Sequence, residues 1–466
     1  MEQSLYIATI LLFSIVSFEG WRRWTGQPFG MLTIANGVFA LNFCVSPILL
    51  TILPGSGLEN GPFGMPLFML TIVKLLNLDG AAYLWASLVT VFAYALMVGT
   101  YMVVARFKRP QPLNGETIPT AWLILVGLAL SVVAVAALLV YSTQFKDLLY
   151  GGTMYRTTAL PEGDFGLLKM LKVGMLVRGG MLDITRGYLQ IIVMMGIPAI
   201  MLLSASALRY NGIKRWLIFS VVTIVWLTVL ARVYHASGRM ELTVFLSFVP
   251  LAVLLGVRST KAVMIGSGVL LAFGLFMVLA RHEFFPQPGQ TASVMMNALA
   301  FNSGRSVLFL FNEFAFPFPV AAHTLSLAED AVGYRYFVDL PLAMLYMLPS
   351  IGGVDVWPEM ISHIHNRIVP LQLPYDLVSF GYYSLGISGV GLVFMVIGAA
   401  FAVIDAWLAQ GKGWLSRILL AAWMMFLPFR IMYADPYTSM KTGFGLIVGT
   451  VLVVVMAHLA KRWKRI

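Results

Sequence analysis

The stretch YHASGRMEL, Tyr234 to Leu242, sets His235, Arg239 and Glu241 between two apolar runs that each read as membrane-spanning. An arginine at the tip of such a hairpin either snorkels to the interface or binds an anion. Arg239 has company. PFRIMYADPY (428–437) puts Arg430 near the end of another apolar run. Arg232 precedes Arg239 by seven residues, about two helical turns, on a similar face. Further arginines are Arg156, Arg178, Arg186, Arg281, Arg305, Arg335 and Arg367. Apart from short basic loops on the opposite side, ten arginines stand against five lysines. The planar guanidinium fork takes phosphate oxygens bidentately, which an ammonium cannot do. The pattern points to a polyanionic head group, with pyrophosphate the natural candidate.

Proton transfer would need a base, and Glu241, Glu313, Asp376, His235 and His365 all offer one. Spacing alone does not choose among them. His363 and His365 of SHIHNRI are two apart in an expected loop, with no cysteine near them, so no metal site is expected. Asp405 reads as a capped or paired structural group. The sequence has no phosphate-cradling glycine loop, dinucleotide fingerprint, Ser-His-Asp signature or HExxH motif. No cofactor and no nucleotide-fuelled activity are therefore expected.

These residues must be held by a membrane-embedded frame. Of 466 residues, 59% are hydrophobic and 11% charged, which excludes an ordinary soluble protein. The apolar runs predict an all-α, polytopic protein forming one transmembrane domain over 1–466. About eleven spans are expected: 3–20, 30–53, 81–105, 119–142, 187–208, 216–236, 241–257, 262–280, 381–409, 416–433 and 443–460. The first run lacks a basic n-region and a cleavage site, so it reads as a retained anchor. WRRW (21–24), RFKRP (106–110), IKRW (213–216), RSTK (258–261), KGWLSR (412–417) and KRWKRI (461–466) fall on alternate connections. The positive-inside rule then sets the N-terminus outside and the C-terminus in the cytoplasm. The net charge of +11 is accounted for by this topology, and nucleic-acid binding is excluded. Cys44 is the single cysteine, so no intramolecular disulfide can form.

The long connections, 54–80, 143–186 and 281–380, all fall on the outer side. Their apolar stretches are too short or too interrupted to span, and suit short helices lying in the headgroup layer or packed on the bundle. GRSVLFLFNEFAF (304–316) has helical character, with Arg305 and Asn312 on one face. Such a cap suits an amphiphilic substrate with a polar head and a tail left among the membrane lipids.

The order of these features resembles the Wzy-type oligosaccharide repeat-unit polymerases, which include the O-antigen polymerases. SGRMEL (237–242) is similar to the family's glycine-arginine turn between middle spans. GYRYFVDLPLAMLYMLPSIGGVDVWPE (333–359) is similar to its aromatic outer-loop segment, LPYDLVSFGYYSLGISGVGLVF (373–394) to the return into the membrane, and PFRIMYADPY to its late arginine helix. The likeness covers roughly 210–445; the N-terminal half matches in topology alone. It implies a GT-C-like glycosyltransferase of the bacterial inner membrane, with its active site facing the periplasm. The substrate class implied is undecaprenyl-pyrophosphate-linked oligosaccharide, for O-antigen, capsule or exopolysaccharide. A chain-length regulator and a flippase are the implied partners. Arg239 and Arg430 would hold the donor pyrophosphate, with Glu241, His235 and Glu313 as further catalytic candidates. Arg178, Arg186, Arg232, Arg305, Arg335, His365, Arg367 and Tyr382 would line the substrate site. The O-antigen ligases, related in architecture, carry a loop histidine with a glycine nine residues on from the small polar residue after it. Here fourteen residues separate Asn366 from Gly381. A lipid-linked oligosaccharide flippase is the alternative from another class. The sequence shows no internal repeat of the transporter kind.

Overall fold

A computed structural model describes residues 2–27, 29–54, 68–107, 112–144, 188–189, 191–235, 248, 251–252, 315–327, 333–347, 359–369 and 373–463. The described elements are helices, joined by one isolated backbone bridge between Asn114 and Lys412. Eight helical segments are long and apolar enough to cross a membrane: Glu2–Trp24 (α1), Met31–Ile52 (α2), Gly80–Val104, Thr120–Tyr141, Ile213–Leu230, Leu377–Ala409, Trp414–Ile431 and Pro436–Trp463. The chain is a multi-pass membrane protein. Helices suit that setting because they satisfy their own backbone groups in a medium without water.

These eight answer to eight of the eleven expected spans. With the shorter elements placed among them, the order continues as α3 (Phe68–Leu76), α4 (Gly80–Val104), α5 (Thr120–Gln144), α6 (Gly196–Ala207), α7 (Ile213–His235), α8 (Pro317–Ser326), α9 (Asp339–Leu345), α10 (Ile361–Ile368), α11 (Leu377–Ile404), α12 (Trp414–Phe426) and α13 (Pro436–Trp463). The expected span over 187–208 is shorter in the structure: turns at 194–195 precede α6, in which every residue is buried. Gly196 and Pro198 explain the restart, since proline lacks the N–H that a helix interior needs and suits a first turn. An apolar surface on all sides then places α6 at the centre of the bundle. The spans expected over 241–257 and 262–280 lie outside the described residues, except for buried Phe248, Leu251 and Ala252.

α4 and α11 lie against each other, and Gly398 lets their backbones meet, because a Cβ there would strike the Met97 carbonyl. α2 carries a π-helical turn at Ala40–Val45, and α11 runs into another at Asp405–Ala409. Among the described residues, the basic connections collect at one end. Arg209 donates to the carbonyls of Ile118 and Gly115, and Gly115 N–H donates to the Lys412 carbonyl at 3.0 Å. Met31 N–H donates to Asp405 at 2.8 Å, which ties the α1–α2 connection to the same end. The short helices α8, α9 and α10 sit at the opposite end. α3 joins them: Ile72 and Leu76 pack with Phe316, Val320, Val369, Leu373 and Met432.

Candidate functional site

α11 begins at a buried aspartate. Asp376 accepts from the N–H groups of Val378 and Ser379 at 2.7 and 3.0 Å and from the Ser379 hydroxyl at 2.8 Å. It is a helix cap, as its place before LVSF dictates, and those bonds occupy the carboxylate that the sequence offered as a base. Two turns later the helix breaks. Leu385 and Gly386 leave helical geometry, with Gly386 at φ +59°, a conformation that favours glycine. Beyond the break the chain folds back tightly: a Cβ on Gly381 would lie 2.6 Å from Val390 Cα.

A broken helix leaves carbonyls without their usual donors, and inside a membrane these need partners. The segment 333–338 supplies them. Arg335 N–H donates to the Tyr383 carbonyl at 3.0 Å, and Tyr336 N–H to the Ser384 carbonyl at 2.8 Å. The strap holds its shape through positive φ angles at Gly333, Tyr336 and Phe337. The Tyr334 hydroxyl rests against Gly386, 2.9 Å from where a Cβ would be.

The strap ends in an ion pair. Arg335 Nε and Nη2 grip the Asp339 carboxylate at 2.6 and 2.9 Å, and Nη2 also donates to the Glu359 carbonyl at 2.7 Å. Asp339, 1% exposed, also accepts from Ile361 N–H at 2.8 Å and so caps α10 from a distance. That cap explains why SHIHNRI forms a helix where a loop was expected. Residues two apart on a helix point in nearly opposite directions. Accordingly His363 is exposed and His365 is buried, so the two cannot share a metal. Among the described residues, no group of three or more His, Cys, Asp or Glu is placed to hold a metal ion.

His365 Nδ1 lies 3.0 Å from the Tyr383 hydroxyl, which in turn lies 3.5 Å from Thr324 Oγ1. The rings of Tyr375 and Tyr383 stand edge-on to the imidazole at 5.3 and 5.7 Å. Nε2 has no partner in good hydrogen-bond geometry, although the Leu373 carbonyl is near enough to favour the protonated ring slightly. Burial dominates and pushes the His365 pKa down to about 4, so the ring is neutral. His323 on α8 is lowered by the same cause, and the Ile368 carbonyl opposes that shift.

Arg430 occupies a 3-10 turn, Pro428–Ile431, between α12 and α13. It is 5% exposed, lies 4.6 Å above the Phe426 ring and donates from Nη1 to Ser439 at 3.2 Å. Asp435 starts α13 by accepting from Thr438 N–H at 2.9 Å, and it also accepts from the Tyr375 hydroxyl at 3.1 Å. Through Asp435 and Tyr375, the Arg430 turn is linked to the His365 cluster.

Of the arginines expected at a substrate site, Arg335 and Arg367 face carboxylates. Arg367 is 54% exposed and lies 2.6 Å from Glu359. Tyr382 is half-buried and packs on the core. Arg232 and His235 fall in the last turns of α7, so His235 belongs to a helix where the sequence suggested the hairpin turn. Arg239, Glu241, Glu313, Arg178, Arg186 and Arg305 lie outside the described residues. Tyr375, Tyr383, Thr324 and His323 were not singled out from the sequence. For Tyr375 and Tyr383 the only trace there is the tyrosine density of LPYDLVSFGYYS, which reads equally well as core; Thr324 and His323 left none. Comparison of the chain with family models, curated proteins and solved structures gives no match.

Proposed function

We propose that the chain is a Wzy-type polymerase of undecaprenyl-pyrophosphate-linked repeat units, with a GT-C-like architecture of about eleven spans. The reading places it in a bacterial inner membrane with the basic end in the cytoplasm, by the positive-inside rule. The strap and short helices at the other end then face the periplasm. The observation that carries the reading is Arg430, a guanidinium only 5% exposed at the end of the bundle away from the basic loops. Burying a cation there is costly and marks function more often than anchoring.

In this reading Arg430 and Arg239 bind the donor's pyrophosphate. A hydroxyl of the acceptor sugar attacks the anomeric carbon of the donor glycan, and the carbon–oxygen bond to the pyrophosphate breaks. The lipid pyrophosphate departs with the electron pair, and the fixed arginines stabilise its growing charge. The hydroxyl proton passes to a base, for which Glu241, Glu313 and His235 remain open. Asp376 is occupied as a cap, and His365 is sealed among tyrosines.

Purified protein given lipid-linked repeat units should elongate them without nucleotide, and chelators should leave the reaction intact. In cells, deletion should abolish the glycan ladder while one repeat unit remains. Loss of all capped product would favour a ligase or a flippase. The break at Leu385–Gly386 is the one observation on the flippase side, because transporters build their sites on interrupted helices. Transport without elongation in proteoliposomes would establish that alternative.

A further inference from the structure

A crevice opens at the basic end, between the 112–117 turn, the π-helical turn Asp405–Ala409 and the last turns of α13. Val454, His458 and Lys461 line it from one stripe of α13, four and three residues apart. That stripe runs from a cation at the helix end to an apolar side chain about 10 Å deeper. Ala457 and Trp407 continue the apolar floor, and Asn114 stands on the far rim.

The far wall is held firmly. Leu113 N–H donates to the Trp407 carbonyl at 2.9 Å, and Lys412 N–H donates to the Leu113 carbonyl at 3.0 Å. Asn114 Oδ1 accepts from Glu116 N–H, which leaves the amide N–H groups of Asn114 to donate. Glu116 is the nearby acid but does not line the crevice. α13 has 28 residues, about 42 Å of helix against a hydrocarbon layer of about 30 Å, so its charged end reaches the headgroup region.

We propose that this crevice binds one anionic phospholipid. Its phosphate would lie at Lys461, His458 and Asn114, and the start of an acyl chain on Val454, Ala457 and Trp407. His458 and Lys461 are exposed, and Leu113, Trp407, Val454 and Ala457 give the crevice an apolar floor. A soluble phosphate ion would gain little from one hydrated ammonium and exposed hydrogen-bond donors, and nothing from that floor. A lipid head with its tail gains from both, and basic pockets between spans at this depth suit anionic headgroups. Lipid binding here does not depend on the proposed glycan chemistry.

The test uses delipidated, purified full-length protein and native mass spectrometry. Short-chain phosphatidylglycerol, phosphatidylcholine and glycerol phosphate are titrated separately. One phosphatidylglycerol should be retained, with phosphatidylcholine weaker by about fivefold, the effect of the one lysine engaged. The doubly substituted protein carrying His458→Gln and Lys461→Gln should lose that preference, whereas Arg462→Gln, one residue beyond the crevice, should keep it. Ala457→Trp should expel the lipid with Lys461 and His458 both in place. Equal retention of the two lipids would overturn the proposal, as would unchanged preference in the double variant. Glycerol phosphate competing as well as the intact lipid would make it a soluble-anion site instead.

Discussion

The two ends of the bundle bury similar side chains and treat them differently. At the basic end, Glu19 accepts from Arg22 at 2.8 Å, Arg23 at 2.5 Å, Thr33 at 2.9 Å and Asn36 at 3.1 Å. Asn36 in turn accepts from Tyr94, and Asp405 accepts from Tyr101 and from Met31 N–H. Arg22, 1% exposed, also lies 5.6 Å from the Tyr101 ring centre. Each of these groups has a partner. At the other end, His365 Nε2, both nitrogens of His323, the Tyr83 hydroxyl and the Ser4 hydroxyl are buried without one in good geometry. On the basic side only the Ser204 hydroxyl among the described residues is in that state. A buried polar atom left unsatisfied is costly and calls for a water, a ligand or a catalytic role. One end therefore fixes the helices, and the other retains polar capacity beside a broken helix. On the proposed function, that is the end where the reaction would take place.

The largest effect should come from breaking the satisfied end. Glu19→Leu leaves Arg22 buried without its carboxylate, a change that typically costs about 3–5 kcal/mol. Thermal unfolding in detergent should show a severe loss, while His365→Phe at the opposite end should cost far less. Comparable losses would erase the contrast between the ends.

Next in size is the effect on activity. If Arg430 and Arg239 grip pyrophosphate by their forks, lysine at either position should cost about 3 kcal/mol, roughly a hundredfold in rate. The readout is ladder length in a complemented deletion strain, with membrane levels checked. Arg281→Lys should be tolerated. A full ladder from Arg430→Lys at normal protein levels would reduce that arginine to a packing role.

Gly386→Ala tests the break itself. Alanine at φ +59° is strained, and its Cβ would press on the Tyr334 hydroxyl, so a cost of about 1–3 kcal/mol is expected. The strap should loosen, making the 333–338 segment more open to protease. Unchanged protection would mean that the strap does not depend on the break.

Much of the frame was legible because span length and apolar content are local properties. The limits of α1, α2 and α4 match their apolar runs within about four residues. Asp405 was legible too, since a lone acid on an apolar helix must find a partner. The site was less legible. Asp339 reaching Ile361 across 22 positions, and Arg335 closing on Asp339, are tertiary facts with no local pattern, and they turned an expected loop into α10. An arginine bound to a carboxylate and one above a phenyl ring look alike in sequence. The interruption after Tyr383 was hidden because SLGISGVG reads as a small-residue helix stripe as readily as a break.

The last expected effect concerns pH and vanishes at neutrality. His365 titrates near 4 in the folded protein and near 6.5 when unfolded, because burial disfavours the imidazolium. Between those values the unfolded chain binds a proton that the folded one does not. Stability attributable to His365 is therefore intact above about pH 6.5 and falls as the pH drops toward 4, by roughly 1.4 kcal/mol per unit. His323 is shifted in the same direction and should add to the slope. His365→Gln removes the titration while leaving a polar group for the Tyr383 hydroxyl. Melting temperatures in detergent across pH 4–7.5 should therefore fall less steeply for His365→Gln than for the parent, and least steeply when His323→Gln is added. At the satisfied end, Asn36→Gln should leave the slope unchanged. Parallel curves for the parent and His365→Gln would show that water reaches the imidazole, and His365 would then return to the groups able to move a proton.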